Sequence, residues 1–165
     1  MFADAERQKA RSKTQSRPRS NTLAILKMVV LCWLPMLAWM AWIFYLSDQP
    51  SLPRPGRRVG VSDSLFDYSA HAVTFGFLAI LVWRAITAWP RILPKWLTAR
   101  PKLSAGIIAA LYAASDEIHQ SFVPGRWAKF SDWVVDVIGI VAALLLIHVW
   151  ELWRRGRRAR KEGAA

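Results

Sequence analysis

Four apolar blocks, Leu23–Leu46, Tyr68–Trp89, Leu103–Phe122 and Trp133–Trp153, take up more than half of the 165 residues. Each is about the 20 residues that a helix needs to cross the hydrocarbon core of a bilayer. In lipid every backbone donor and acceptor must be satisfied inside the protein, so blocks of this length fold as helices. The apolar residues run continuously instead of alternating or recurring on one helical face, which argues against a soluble domain. The expectation is an all-α, polytopic membrane protein built as a four-transmembrane-helix bundle.

The first block follows a basic stretch, as a signal peptide would. Its apolar part exceeds an h-region of about 7–15 residues and no small-x-small cleavage site follows, so it is expected to stay as a helix. The lone cysteine, Cys32, lies inside it. A single thiol excludes an intramolecular disulfide and reads as a small packing residue.

The formal charge of +12 does not point to nucleic acid. Six cations (Arg7, Lys9, Arg11, Lys13, Arg17, Arg19) precede the first block and six (Arg154, Arg155, Arg157, Arg158, Arg160, Lys161) follow the last. Beside membrane segments such residues mark the cytoplasmic side and attract anionic lipid headgroups. They lack the aromatic interleaving of a single-strand binding surface. The second connection adds Arg91, Lys95, Arg100 and Lys102, whereas the first has Arg54, Arg57 and Arg58 and the third Arg126 and Lys129. Sixteen cations against five are expected to place both termini on the cytoplasmic side of the membrane.

Residues 1–22, rich in charge, Ser and Pro, are expected to be a disordered tail, followed by a membrane domain over 23–153 and a second basic tail over 154–165. The first connection carries Pro50, Pro53 and Pro55 and reads as an extended loop. Trp89, Trp96, Trp150 and Trp153 fall near the inner interface, Trp127 and Trp133 near the outer one, as aromatic belts do.

The polar residues break this pattern. Asp116-Glu117-Ile118-His119-Gln120 closes the third block, although one charge near a bilayer centre costs about 2.5–3.5 kcal/mol. With the orientation above, this cluster lies in the outer leaflet. His71 in the first turn of the second block and Asp132 and Asp136 at the start of the fourth reach the same depth. Ser47-Asp48-Gln49 at the first exit and Pro124-Gly125-Arg126 in the third connection reach it too. Helical spacing wraps Asp116–Gln120 around about half a helix, so some members face other helices. Gly76, Gly106 and Gly139 allow helices to approach closely.

Blander readings stand beside this. Asp132 reads equally as an N-cap, Arg126 as a partner neutralising Asp116 or Glu117, and the whole cluster as a structural ion-pair network. His148 has no evident partner, and Arg84 reads as snorkelling inward.

The string Ser115-Asp116-Glu117-Ile118-His119-Gln120-Ser121-Phe122-Val123-Pro124-Gly125-Arg126, followed by Asp132-x-x-x-Asp136-x-x-Gly139, resembles the signature of the VanZ-like family. Asp67 and His71 before Phe75-Gly76-Phe77-Leu78, and Phe44-Tyr45-Leu46-Ser47-Asp48-Gln49-Pro50, resemble its histidine helix and first-helix exit. The position of Asp136 is usually Asn in that pattern and that of Tyr68 usually Lys, so this site is more acidic than the pattern. The resemblance implies a small polytopic protein of the bacterial cytoplasmic membrane. The family's founding member is linked to low-level resistance to the glycopeptide teicoplanin.

Three functions fit these residues. A membrane enzyme acting on a lipid-linked or envelope substrate would draw acid/base groups from His71, Asp116, Glu117 and His119, with Gln49, Gln120, Arg126, Asp132 and Asp136 as binding residues. His and carboxylates can also take a divalent metal, though no metal-motif spacing is present. A non-catalytic protein would use the same pocket for a lipid headgroup, an amphiphilic antibiotic such as a glycopeptide, or another membrane protein. A proton-coupled carrier ranks last, because four helices are few.

Overall fold

The computed structural model of the protein describes residues 23, 25–50 and 62–163. The amino-terminal tail and the loop cations Arg54, Arg57 and Arg58 lie outside the described residues. Among the described residues all regular structure is helical. A span Ile25–Ser47 ends in α1 (Leu34–Ser47). It is followed by α2 (Asp63–Ala88), a short α3 (Lys95–Thr98), α4 (Pro101–Gln120) and α5 (Phe130–Glu162).

Among the described residues three helices, Ile25–Ser47, Ser64–Ala88 and Phe130–Glu162, are long and apolar enough to cross a membrane. The third expected span, now α4, is a 20-residue helix, but its polar end dilutes its apolar character. Three helices rather than four therefore meet the criterion.

The ends of the helices differ from the sequence expectation for local reasons. α2 begins at Asp63, ahead of Tyr68, because Ser62 caps it: its hydroxyl accepts the Leu65 N–H at 3.3 Å. α5 begins at Phe130 with Lys129 at the cap and no side-chain cap bond. Asp132 is thus not an N-cap. It sits in the first turn, where a carboxylate faces the positive end of the helix dipole. At the other end α5 runs on to Glu162, so the basic residues from Arg154 to Lys161 are helical and not a disordered tail. The Arg154 guanidinium lies 4.6 Å from the Trp150 ring and that of Arg157 4.5 Å from Trp153. These i,i+4 pairs brace the last turns, where cations also suit the helix dipole.

The first span contains a defect with an identifiable cause. Pro35 has no N–H, so the carbonyl of Leu31 loses its helical donor. The chain responds with a π turn over Val29–Trp33, in which Leu34 N–H reaches back to the Val29 carbonyl. The Leu31 carbonyl is taken instead by Arg84 of α2, whose Nη2 donates to it at 3.3 Å. Arg84 thereby satisfies a backbone group that lipid cannot.

α2 is the centre of the bundle and packs most extensively on α5, then on α4. Its inward residues Leu78, Ala79 and Val82 meet the stripe Ala105, Ala109 and Ala113 of α4 and Ile140 of α5. Small side chains there let the helices approach closely, which is how helices associate in lipid. Gly139 is the tightest point: a Cβ there would overlap the backbone of Ala72. One at Gly76 would come 2.9 Å from the Gly139 carbonyl oxygen. The first span packs more lightly and turns Leu26, Leu31, Leu34, Leu37 and Trp42 outward. It is pinned by Trp39, which donates to the Thr74 carbonyl at 3.1 Å, and by Met40, whose carbonyl accepts the Tyr112 hydroxyl at 2.7 Å. Trp133, near the start of α5, packs against α4. It is half-buried and donates to the Ala110 carbonyl at 3.2 Å.

Candidate functional site

The polar residues that the sequence puts at one depth do converge, but in two separate groups. The close crossing of α2 and α5 at Ala72 and Gly139 sets His71 beside Asp136, one turn earlier on α5. His71 Nδ1 is 3.1 Å from Asp136 Oδ1. Asp136 is completely buried, while the His71 side chain keeps 23% exposure. Glu117 of α4 is also buried, and its Oε2 accepts the backbone N–H of Lys129 at 3.0 Å. That bond ties the end of the third connection to α4. Among the described residues, Asp136 Oδ2 and Glu117 Oε1 are buried and have no hydrogen-bond partner. One donor atom each from His71, Glu117 and Asp136 lies within 4.8 Å of the others.

The second group is hydrogen-bonded within itself. Asp116 Oδ2 accepts from the Ser47 hydroxyl at 2.8 Å and from Gln120 Nε2 at 3.0 Å, and all three residues are buried. The Gln120 amide also lies 3.4 Å from the Ser47 oxygen. This triad joins α1 to α4, and Asp116 and Gln120 occupy one face because they are four apart.

Between the groups lies a cavity of about 320 Å³. Ile43, Leu46, Phe66 and Phe75 give it apolar walls, and His71, Asp116, Gln120, Arg126 and Asp132 bring polar groups to it. Arg126 reaches it from a turn whose shape is legible in Val123-Pro124-Gly125-Arg126. The Arg126 N–H donates to the Val123 carbonyl at 3.1 Å, and Gly125 has φ +82°. That is a type II turn, with Pro suited to its second position and Gly to its third. Among the described residues the Arg126 guanidinium makes no ion pair, so it does not neutralise Asp116 or Glu117. Asp132, half-buried, accepts from the Ser131 hydroxyl at 3.0 Å.

Two expected members fall elsewhere. His119, two residues beyond Glu117 and so on nearly the opposite face, stacks on Phe44 with ring centroids 4.3 Å apart. Its Nε2 is 3.7 Å from Asp48 Oδ1, and it does not line the cavity. Gln49 folds back to donate to the Tyr45 carbonyl at 3.1 Å and does not line it either.

The chain matches the VanZ/LLP1 family model over residues 10–151. It belongs to the VanZ-like family. No curated protein and no solved structure gave a match. The matched segment takes in the whole cavity, both polar groups and the Pro-Gly-Arg turn.

In this VanZ-like protein sequence reasoning missed several polar contacts. Ser47 was only part of an exit motif, yet it is buried and holds Asp116. His148 does have a partner: Lys102 Nζ is 3.3 Å from its Nδ1 and forms an ion pair with Glu151. The spacing of His148 and Glu151, three apart on α5, was the available signal for a shared face.

Proposed function

We propose that this VanZ-like protein takes the headgroup of an amphiphilic, lipid-linked envelope ligand into the cavity from the outer leaflet. The observation that carries this is the cavity's composition. Its walls are apolar, while Arg126 and Lys129 stand among its lining residues as cations suited to a phosphate or carboxylate. The imidazole of His71 and the carboxylates near it are groups of the kind that acid/base chemistry needs. The Asp116–Ser47–Gln120 triad, hydrogen-bonded within itself, is assigned a structural role and His71, Glu117 and Asp136 the chemical one.

The orientation behind this is also part of the proposal. α4, at 20 residues, is about 30 Å long and equals the hydrocarbon thickness. We take it as a fourth crossing, with both termini cytoplasmic as the charge count requires. The basic end of α5 then meets anionic lipid headgroups, and the cavity opens outward, where glycopeptides such as teicoplanin act.

The test is a profile of lipids and envelope precursors in cells lacking the protein, carrying it, or carrying Arg126→Ala at equal membrane abundance. A lipid-linked species that changes on deletion and is restored by the native protein but not by Arg126→Ala supports the reading. No change in any species refutes it. Teicoplanin susceptibility of the same strains reads out the resistance link.

A further inference from the structure

We propose that His71, Glu117 and Asp136 form a binding site for one divalent transition-series cation, Zn²⁺ or Mn²⁺, between α2, α4 and α5. The three residues come from three different helices, and one donor atom of each lies within 4.8 Å of the other two. Ligand atoms at about 2.0–2.2 Å from a shared cation are about 3–4 Å apart. Small side-chain rotations therefore close the set.

The second observation is independent of this spacing. Asp136 is completely buried and, among the described residues, its Oδ2 has no hydrogen-bond partner; Glu117 is 7% exposed and its Oε1 has none there either. A lone acceptor left unpaired in a protein interior costs about 1–3 kcal/mol, and more when it is charged. Among the described residues a single imidazole stands against these two carboxylates, so with both ionised even a protonated His71 leaves negative charge in a low-dielectric site. Arg126 and Lys129 line the neighbouring cavity, but among the described residues neither makes an ion pair with Glu117 or Asp136. A divalent cation takes up both free oxygens and corrects the charge in one step.

The donor chemistry selects the metal. Imidazole with carboxylates suits Zn²⁺ and Mn²⁺, whereas Mg²⁺ and Ca²⁺ favour all-oxygen sets. The Glu117 Oε2 bond to Lys129 N–H is the kind of outer contact that orients a ligating carboxylate.

This site stands on its own atoms and does not depend on the ligand reading above. The full-length chain, purified in detergent and stripped with chelator, is titrated with Zn²⁺ and with Mn²⁺ by calorimetry, with no lipid-linked ligand present. Binding of one cation per chain is expected, together with a rise in unfolding temperature. The isosteric changes Glu117→Gln and Asp136→Asn are each expected to weaken binding about 100-fold or more and to abolish the thermal shift. His148→Ala removes a histidine about 18 Å further along α5 and leaves both unchanged. Absence of stoichiometric binding by the native chain overturns the proposal whatever the variants do. So does binding that survives in both carboxamide variants, which would place the cation elsewhere. An unchanged envelope profile with intact metal binding removes the ligand reading alone, and the converse removes the metal site alone.

Discussion

Gly139→Ala tests the step on which the site's geometry depends, the close crossing of α2 and α5. A Cβ at this position overlaps the Cα, carbonyl carbon and carbonyl oxygen of Ala72. Backbone cannot swing aside as a side-chain tip can, so the two helices must part by about 1 Å in an interior packed like a crystal. Overpacking of this kind costs about 1–3 kcal/mol. His71 moves with Ala72, and the 3.1 Å contact to Asp136 opens beyond hydrogen-bonding reach. Leaving the buried Asp136 carboxylate without that partner costs about a further 1–3 kcal/mol. The better helix propensity of Ala returns about 1 kcal/mol, so a net loss of about 1–5 kcal/mol is expected in equilibrium unfolding in mixed micelles, followed by the fluorescence of the ten tryptophans. Gly106→Ala is the matched control. Its Cβ would meet the Leu144 Cδ1 at 3.2 Å, the free end of a flexible side chain, and the better helix propensity of Ala offsets the crowding by about 1 kcal/mol. If Gly139→Ala loses no more stability than Gly106→Ala, the crossing does not hold His71 against Asp136 and the argument fails.

Three further outcomes follow from the contacts described above. Asp116→Ala leaves the buried Ser47 hydroxyl and Gln120 amide without their shared acceptor, so a loss of about 1–3 kcal/mol is expected in the same assay; a neutral result would remove the triad as the tie between α1 and α4. Arg84→Leu deprives the Leu31 carbonyl of its donor and is expected to cost about 0.6–2 kcal/mol, the range of polar contacts between membrane helices. Adding Pro35→Ala restores the helical donor to that carbonyl and should recover most of the loss in a double-mutant cycle. Gly125→Ala forces a side chain onto φ +82°, at a cost of about 1–2 kcal/mol, and displaces Arg126; the envelope profile should shift toward that of Arg126→Ala while membrane abundance is retained.

Much of the fold was legible because lipid simplifies the reading. A continuous apolar run of about 20 residues has few ways to satisfy its backbone, and three of the four runs became helices that meet the criterion for crossing. The third was obscured by its polar end, since Asp116, Glu117 and Gln120 lower the apolar content of α4. Helix ends were less legible, because they turn on single contacts. Ser62 extends α2 back to Asp63, and nothing after Trp153 stops α5 before Glu162. Pro35 was visible in the sequence, but its π turn and the answering Arg84 come from different helices.

The candidate site divides in the same way. Composition and order along the chain determined by themselves which residues are polar within apolar blocks, and that His71, Asp116, Glu117 and Asp136 stand toward the same end of the bundle, since level follows from position along a helix. They also determined the Pro124-Gly125 turn, whose backbone angles are local. Tertiary structure alone decided the partners. Rotation about a helix axis and the distance between helices are set by packing. Gly139 against Ala72 therefore placed Asp136 beside His71, while His119, two residues from Glu117, was turned to the face where Phe44 waits. Two carboxylate oxygens were left buried without partners for the same reason, a fact no spacing in the sequence contains.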